Sequence, residues 1–230
     1  FTISSEDEGA PLPKQTTATN DENGNIVFGD ITFDKAGIYH YSIAEDTSKL
    51  PGGVTATTQG AKQVIVTVKD NNEGKLVAEV AKPDDVTFEN AYKPADTTIE
   101  KLVTTKVVKA SQDGVTAPQL KGGEFSFTIS SEDEGAPLPK QTTNDKSGNI
   151  AFGAIKFTEP GKYHYTITEY GSMDGVTNDS PKNFTVTVKD NGDGTMTATA
   201  SDIPGFVNTY AVQPTDYSVT TDVSIAKKIE

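Results

Sequence analysis

The sequence contains no cysteine and no tryptophan, and only two methionines in 230 residues. Without cysteine there are no disulfides and no thiolate metal sites, so any covalent staple in the fold would have to be of another kind. No run of about 18 apolar residues occurs, which excludes a membrane-spanning helix. No signal peptide precedes the fold either. Residue 1 is a phenylalanine inside a strand-like pattern, which reads as the start of a piece of something longer. Basic residues are outnumbered: 20 Lys and Arg stand against 33 Asp and Glu, a formal net charge of −13. That balance is opposite to the footprint of a nucleic-acid binder. An acidic surface suits a soluble extracellular protein, and equally an acidic soluble domain elsewhere.

What the sequence does contain is itself, twice. FTISSEDEGAPLPKQTT at residues 1–17 recurs letter for letter at 127–143. NDENGNIVFGDITFDKAGIYHYSIAE (20–45) matches NDKSGNIAFGAIKFTEPGKYHYTITE (144–169), VIVTVKDNNEG (64–74) matches FTVTVKDNGDG (184–194), and VTFENAY (86–92) matches PGFVNTY (204–210). Near-identical neighbours of this kind point to an array that spaces something away from a surface. The second repeat is whole. The first has no counterpart of residues 97–126, and the tail TDYSVTTDVSIAKKIE (215–230) resembles the opening segment DTTIEKLVTTKVVKA (96–110). The expected domains are therefore 1–92, a repeat lacking its first strand; 93–210, a complete repeat; and 211–230, a linker with an orphan first strand.

Short alternating or β-branched runs (FSFTIS, NIAFGAIKF, KYHYTIT, FTVTVK, TMTATA) are separated by turn chemistry such as DKSGN, EPG and DNGDG,. No stretch keeps a 3.6-residue period. About seven short strands in some 110 residues predict an all-β fold of tandem immunoglobulin-like sandwiches.

Residues two apart on a strand share a face. In KYHYTITE, Tyr163, Tyr165, Ile167 and Glu169 therefore align on the core face, as do Tyr39, Tyr41, Ile43 and Glu45 in the first repeat. In GFVNTY, Asn208 falls between Phe206 and Tyr210, and Asn90 falls likewise between Phe88 and Tyr92. A buried carboxyl or carboxamide without a partner costs roughly 1–3 kcal/mol or more, so finding both twice predicts that two polar groups meet in the core. The opening segments add lysine. Lys227 lies in line with Val223, Ile225 and Ile229, and Lys106 aligns with it, while Lys101 and Lys109 compete because the strand register is open.

Lysine, asparagine and glutamate in one apolar site have a reaction available. Burial favours the neutral amine and the protonated acid. The amine can then attack the carboxamide while the glutamate polarises its carbonyl and shuttles the proton, releasing ammonia and leaving an amide between first and last strands. The alternative is a buried ion pair beside a hydrogen-bonded asparagine, with no bond formed. Spacing alone does not choose between them.

The stretches GGEFSFTIS, GNIAFGAIKFTEPGKYHYTITE, FTVTVKDNGDGT and FVNTY together resemble the streptococcal pilin isopeptide linkage domain, a repeat of Gram-positive pilins and adhesins related to the Cna B-type sandwich. The resemblance implies a Lys–Asn isopeptide bond assisted by glutamate. In the second repeat this means Asn208, Glu169 and Lys106, the lysine from a segment longer than the family's usual spacing. In the first it means Glu45 and Asn90, with Lys227 as an unpaired lysine at the far end.

The resemblance also implies a cell-wall-attached extracellular protein, no cofactor, and neighbouring repeats or copies of itself as partners. The expected role is a stalk or fibre repeat and not an enzyme, with tail-strand donation as a form of assembly. A ligand-binding module for a host protein or glycan, and a major pilin subunit, are the alternatives. NDENGNI and DNGDG lack the full ligand spacing of calcium loops. NDS and NFT match glycosylation sequons, which carry little weight in a bacterial protein.

Overall fold

In a computed structural model of the chain, residues 1–81 and 86–216 are described. They form two compact units, Phe1–Ala95 with Asn191–Thr195, and Asp96–Asp190 with the described residues from Met196 on. Apart from one 3-10 turn at Thr47–Lys49, all regular structure among the described residues is strand.

The second unit contains strands β7 (Thr97–Ile99), β8 (Leu102–Ala110), β9 (Phe125–Ser131), β10 (Thr142–Thr143), β11 (Asn149–Phe152), β12 (Ile155–Phe157), β13 (Gly161–Gly171), β14 (Val176–Thr177), β15 (Lys182–Asp190), β16 (Met196–Ala200) and β17 (Phe206–Tyr210). One sheet has the order β10-β9-β13-β15-β16 and the other β11-β8-β17-β14; β12 pairs with β7. Both sheets turn their apolar alternates inward. Phe127, Ile167 and Val186 come from the first sheet and Leu102, Phe152 and Phe206 from the second, all buried in one core. The Phe127 and Phe206 rings meet across it, 5.1 Å between centroids. This is a β-sandwich, as the strand pattern predicts.

The chain closes on itself in an informative way. The first long strand, β8, runs parallel to the last, β17, with Lys106 opposite Phe206 and Val108 opposite Asn208. On its other edge β8 pairs antiparallel with β11. Gly148, just before β11, has φ of +79° and lies so close to β8 that a Cβ there would collide with the Lys106 carbonyl oxygen. Glycine is required at this approach.

Nearly the same letters build less in the first unit. Its strands are β1 (Thr2–Ser5), β2 (Gly37–Ala44), β3 (Val54–Ala56), β4 (Lys62–Asp70), β5 (Leu76–Ala81) and β6 (Asn90–Tyr92), which correspond in order to β9, β13, β14, β15, β16 and β17. Four of them repeat the first sheet; the second is reduced to Val54–Ala56 paired with Asn90–Tyr92. The segment 25–33, NIVFGDITF, forms no strand although NIAFGAIKF supplies β11 and β12. The reason is pairing. β11 and β12 are held by β8 and β7, and the first repeat has no counterpart of either in this sequence. Ile26, Phe28, Ile31 and Phe33 are consequently only half-buried, whereas Ile150, Phe152, Ile155 and Phe157 are fully buried.

Candidate functional site

The second unit brings the three predicted residue types to one place. β8 presents Leu102, Thr104 and Lys106 inward, and Lys106 is 1 % exposed. Lys101 and Lys109 lie on the opposite face and are exposed. From the other sheet, β13 points Tyr165, Ile167 and Glu169 into the core. β17 contributes Phe206 and Asn208, the latter fully buried and two residues along from the position opposite Lys106.

Lys106 Nζ and Glu169 Oε1 lie 2.6 Å apart, with both side chains wholly buried. Beyond this ion pair neither charged end has a hydrogen-bond partner among the described residues. The ammonium also sits over the Phe125 ring, 4.2 Å from its centroid. Burial pushes the Lys106 amine below the ordinary lysine value, against the opposing pull of Glu169 and Asp179. An amine in that position is closer to its nucleophilic, neutral form than a surface lysine is.

Asn208 is held from a side the strand pattern does not reveal. The backbone N–H of Asp179 donates to Asn208 Oδ1 at 2.9 Å, and Asn208 Nδ2 donates to Asn178 Oδ1 at 3.1 Å. Asn178 and Asp179 follow β14 directly, in a loop with no periodicity to read. They are residues that sequence reasoning missed, having registered there only a glycosylation sequon. A comparison of the repeats carries the signal: GVTND at 175–179 stands where the first repeat has GVTAT at 53–57.

The first unit assembles only half of the site. Asn90 Nδ2 donates to Glu45 Oε1 at 2.9 Å, so the carboxamide and carboxylate do meet. Asn90 is exposed, however, and not in the core where its alternation places it. No strand among the described residues lies where β8 lies in the second unit, so the sheet that would cover this face is incomplete. An open groove of about 830 Å³ remains there, lined by Phe1, Thr17, Glu45, Val54 and Asn90 among others. Glu45 Oε2 is buried without a hydrogen-bond partner among the described residues. Lys227 lies outside the described residues.

Two comparisons with known proteins bear on this arrangement. The family model described as "Spy0128-like isopeptide containing domain" matches residues 1–93 and 98–211, one match per repeat. No curated protein matches the chain.

Proposed function

The chain belongs to the family of Spy0128-like isopeptide containing domains, and from that premise we propose that it is a load-bearing repeat of a surface fibre or stalk whose second unit staples itself by an isopeptide bond. The observation that supports this most strongly is the wholly buried Lys106–Glu169 pair, with Asn208 buried on β17, the strand that pairs with β8. A lone ion pair in a core is a poor source of stability, because desolvation offsets most of its attraction. A chemical role accounts for it better.

The reaction is a single turnover within the fold. Lys106 passes a proton to Glu169, and its neutral amine attacks Asn208 Cγ. As the Cγ–Nδ2 bond breaks, Glu169 delivers a proton to Nδ2 and recovers one from Nζ, so that ammonia leaves and an amide remains. The bond ties β8 to β17, the first long strand to the last. Closing a loop of about 100 residues stabilises by roughly 4–5 kcal/mol. Under tension between the termini, load would pass through the covalent bond and spare the sheet hydrogen bonds. No external substrate is assigned, and the setting proposed is the cell-wall-attached surface of a Gram-positive bacterium.

Intact mass tests the reading. The purified chain is expected about 17 Da below its sequence mass, one ammonia, and Glu169→Ala is expected to restore the full mass. Full mass in the unaltered chain would sink the proposal.

The groove of the first unit favours assembly with a lysine-bearing strand beside Asn90–Tyr92, and the segment around Lys227 of a neighbouring copy is one source this sequence contains. Such strand donation would give a covalent ladder on a denaturing gel that vanishes in Lys227→Ala; a single monomer band would exclude it.

A further inference from the structure

The loop after β14 makes contacts that strand stapling alone does not require. We infer that the Asn178–Asp179 corner activates and aims the Asn208 carboxamide, with the Asp179 backbone N–H serving as the donor for the oxyanion that forms on Oδ1. This rests on the isopeptide reading above and adds to it the residues that govern its rate.

The geometry begins with strand pairing. Val176 and Thr177 of β14 lie opposite Tyr210 and Thr209 of β17, so Asn178 arrives next to Asn208. Only the carboxamide oxygen can accept from a backbone N–H, so the 2.9 Å contact from Asp179 N fixes which way Asn208 points,. Its nitrogen then donates to Asn178 Oδ1, 3.1 Å away. The Asn178 amide is itself held, donating from Nδ2 to the Gly171 carbonyl at 2.9 Å. Gly171 ends β13, the strand that carries Glu169. One short loop thus connects the electrophile to the strand of the proton shuttle.

The Asp179 side chain holds the corner in place. Its Oδ2 accepts from the Val207 backbone N–H at 2.8 Å, one residue before Asn208. Its Oδ1 accepts from the Ser180 N–H at 2.8 Å and pairs with Lys182 Nζ at 2.9 Å. Burial alone would raise this carboxyl's pKa, yet the Val207 N–H, Lys182 and the Ser180 N–H keep it below the ordinary aspartate value. It stays ionised and keeps the turn closed.

The chemistry asks for this arrangement. When Lys106 Nζ adds to Asn208 Cγ, the carbonyl π electrons move onto Oδ1, where a fixed donor stabilises the new charge. Collapse of that adduct re-forms the carbonyl as the Cγ–Nδ2 bond breaks. Nδ2 takes its third hydrogen from Glu169 and departs as ammonia, while Nζ returns one proton to Glu169. Asn178 holds the leaving nitrogen away from the donor until then. In the first unit the matching positions are Ala56 and Thr57. Ala56 lies opposite Asn90, and the Asn90 amide turns to Glu45 instead.

The test follows ammonia loss by intact mass during cell-free synthesis of the full chain, with folding tracked in parallel by protease resistance. Asn178→Ala is expected to slow bond formation about tenfold, and Asp179→Pro, which removes the N–H, about a hundredfold or more. Asp179→Asn, which keeps the N–H but loses the charge paired with Lys182, should slow bond formation less than Asp179→Pro,. The signature of the proposal is a folded, protease-resistant chain that has not yet lost ammonia. If Asp179→Pro does not fold, Asn178→Ala carries the test. Equal rates in all variants, or slowing only in step with folding, would overturn the inference. An unaltered chain that never loses ammonia would instead overturn the isopeptide reading beneath it.

Discussion

The two repeats share a 17-residue stretch letter for letter, yet one forms a closed sandwich and the other an open one. Their first sheets agree down to single contacts. The Tyr41 hydroxyl donates to the Pro11 carbonyl as Tyr165 donates to Pro137, and His40 meets Asp7 as His164 meets Asp133. The Phe33–Tyr39 and Phe157–Tyr163 rings pack at 4.9 and 5.1 Å. Their second sheets do not agree. Where β8 lies between β11 and β17, Phe206 is 1 % and Asn208 0 % exposed. Without such a strand, Phe88 is half-buried and its ring meets Phe1 edge-on, while Asn90 faces solvent. One strand thus decides whether the same glutamate and asparagine lie in a dry core or share a solvent-facing hydrogen bond.

The largest effect expected from breaking this contrast is at the glutamates. Glu169→Ala should lower the stability of the second unit by about 4–5 kcal/mol through loss of the ring closure alone. Glu45→Ala removes one exposed hydrogen bond and should cost about 0.5–1.5 kcal/mol in the first. Native-state hydrogen exchange reads the two units separately, and equal losses would show that the second site is not closed.

Next come the aromatic anchors, compared in a Glu169→Ala background so that unfolding is reversible. Phe206→Ala should cost about 3–5 kcal/mol, and Phe88→Ala, from a half-buried position, about 1–2 kcal/mol. Similar costs at both would mean that the first unit's face is covered in solution.

The smallest contrast is in acid. Glu124 of the second repeat accepts from the Lys121 and Gly122 backbone N–H groups and from Asn144 Nδ2. Burial works against its ionised form, but these donors bring its pKa down to about 2 from 4.5. A carboxyl whose pKa is lowered by folding stabilises above its unfolded value and loses that contribution as pH falls through the folded one. The second unit should therefore show an extra loss of protection between about pH 4.5 and 2, removed by Glu124→Gln. The first repeat has no matching residue in this sequence, and an identical acid profile in both units would contradict the assignment.

Much of this was legible in the letters. Period-two alternation places Glu169 and Asn208 on core faces because β13 and β17 carry apolar side chains on those faces. The lysine was not decided, because LVTTKVVK is apolar on both parities. Val103 and Val107 are exposed while Leu102 and Thr104 are buried, a choice made by the pairing of β8 with β11 and β17. Asn178 and Asp179 were illegible for a different reason: a loop has no period, and what ties it to Asn208 is hydrogen bonding to a strand some thirty residues on. Segment 25–33 shows the same limit, since its strand pattern is present and its pairing partner is not.

The central claim is that the closed unit is covalently closed and the open one is not. Proteolysis of the 230-residue chain under denaturing conditions, followed by fragment mass analysis, tests it directly. The account predicts a branched peptide joining the Lys106 segment to the Asn208 segment, about 17 Da lighter than the sum of its two arms, with Asn90 unlinked to any lysine of the same two units. Recovery of the Lys106 and Asn208 peptides as separate, unmodified species would contradict it.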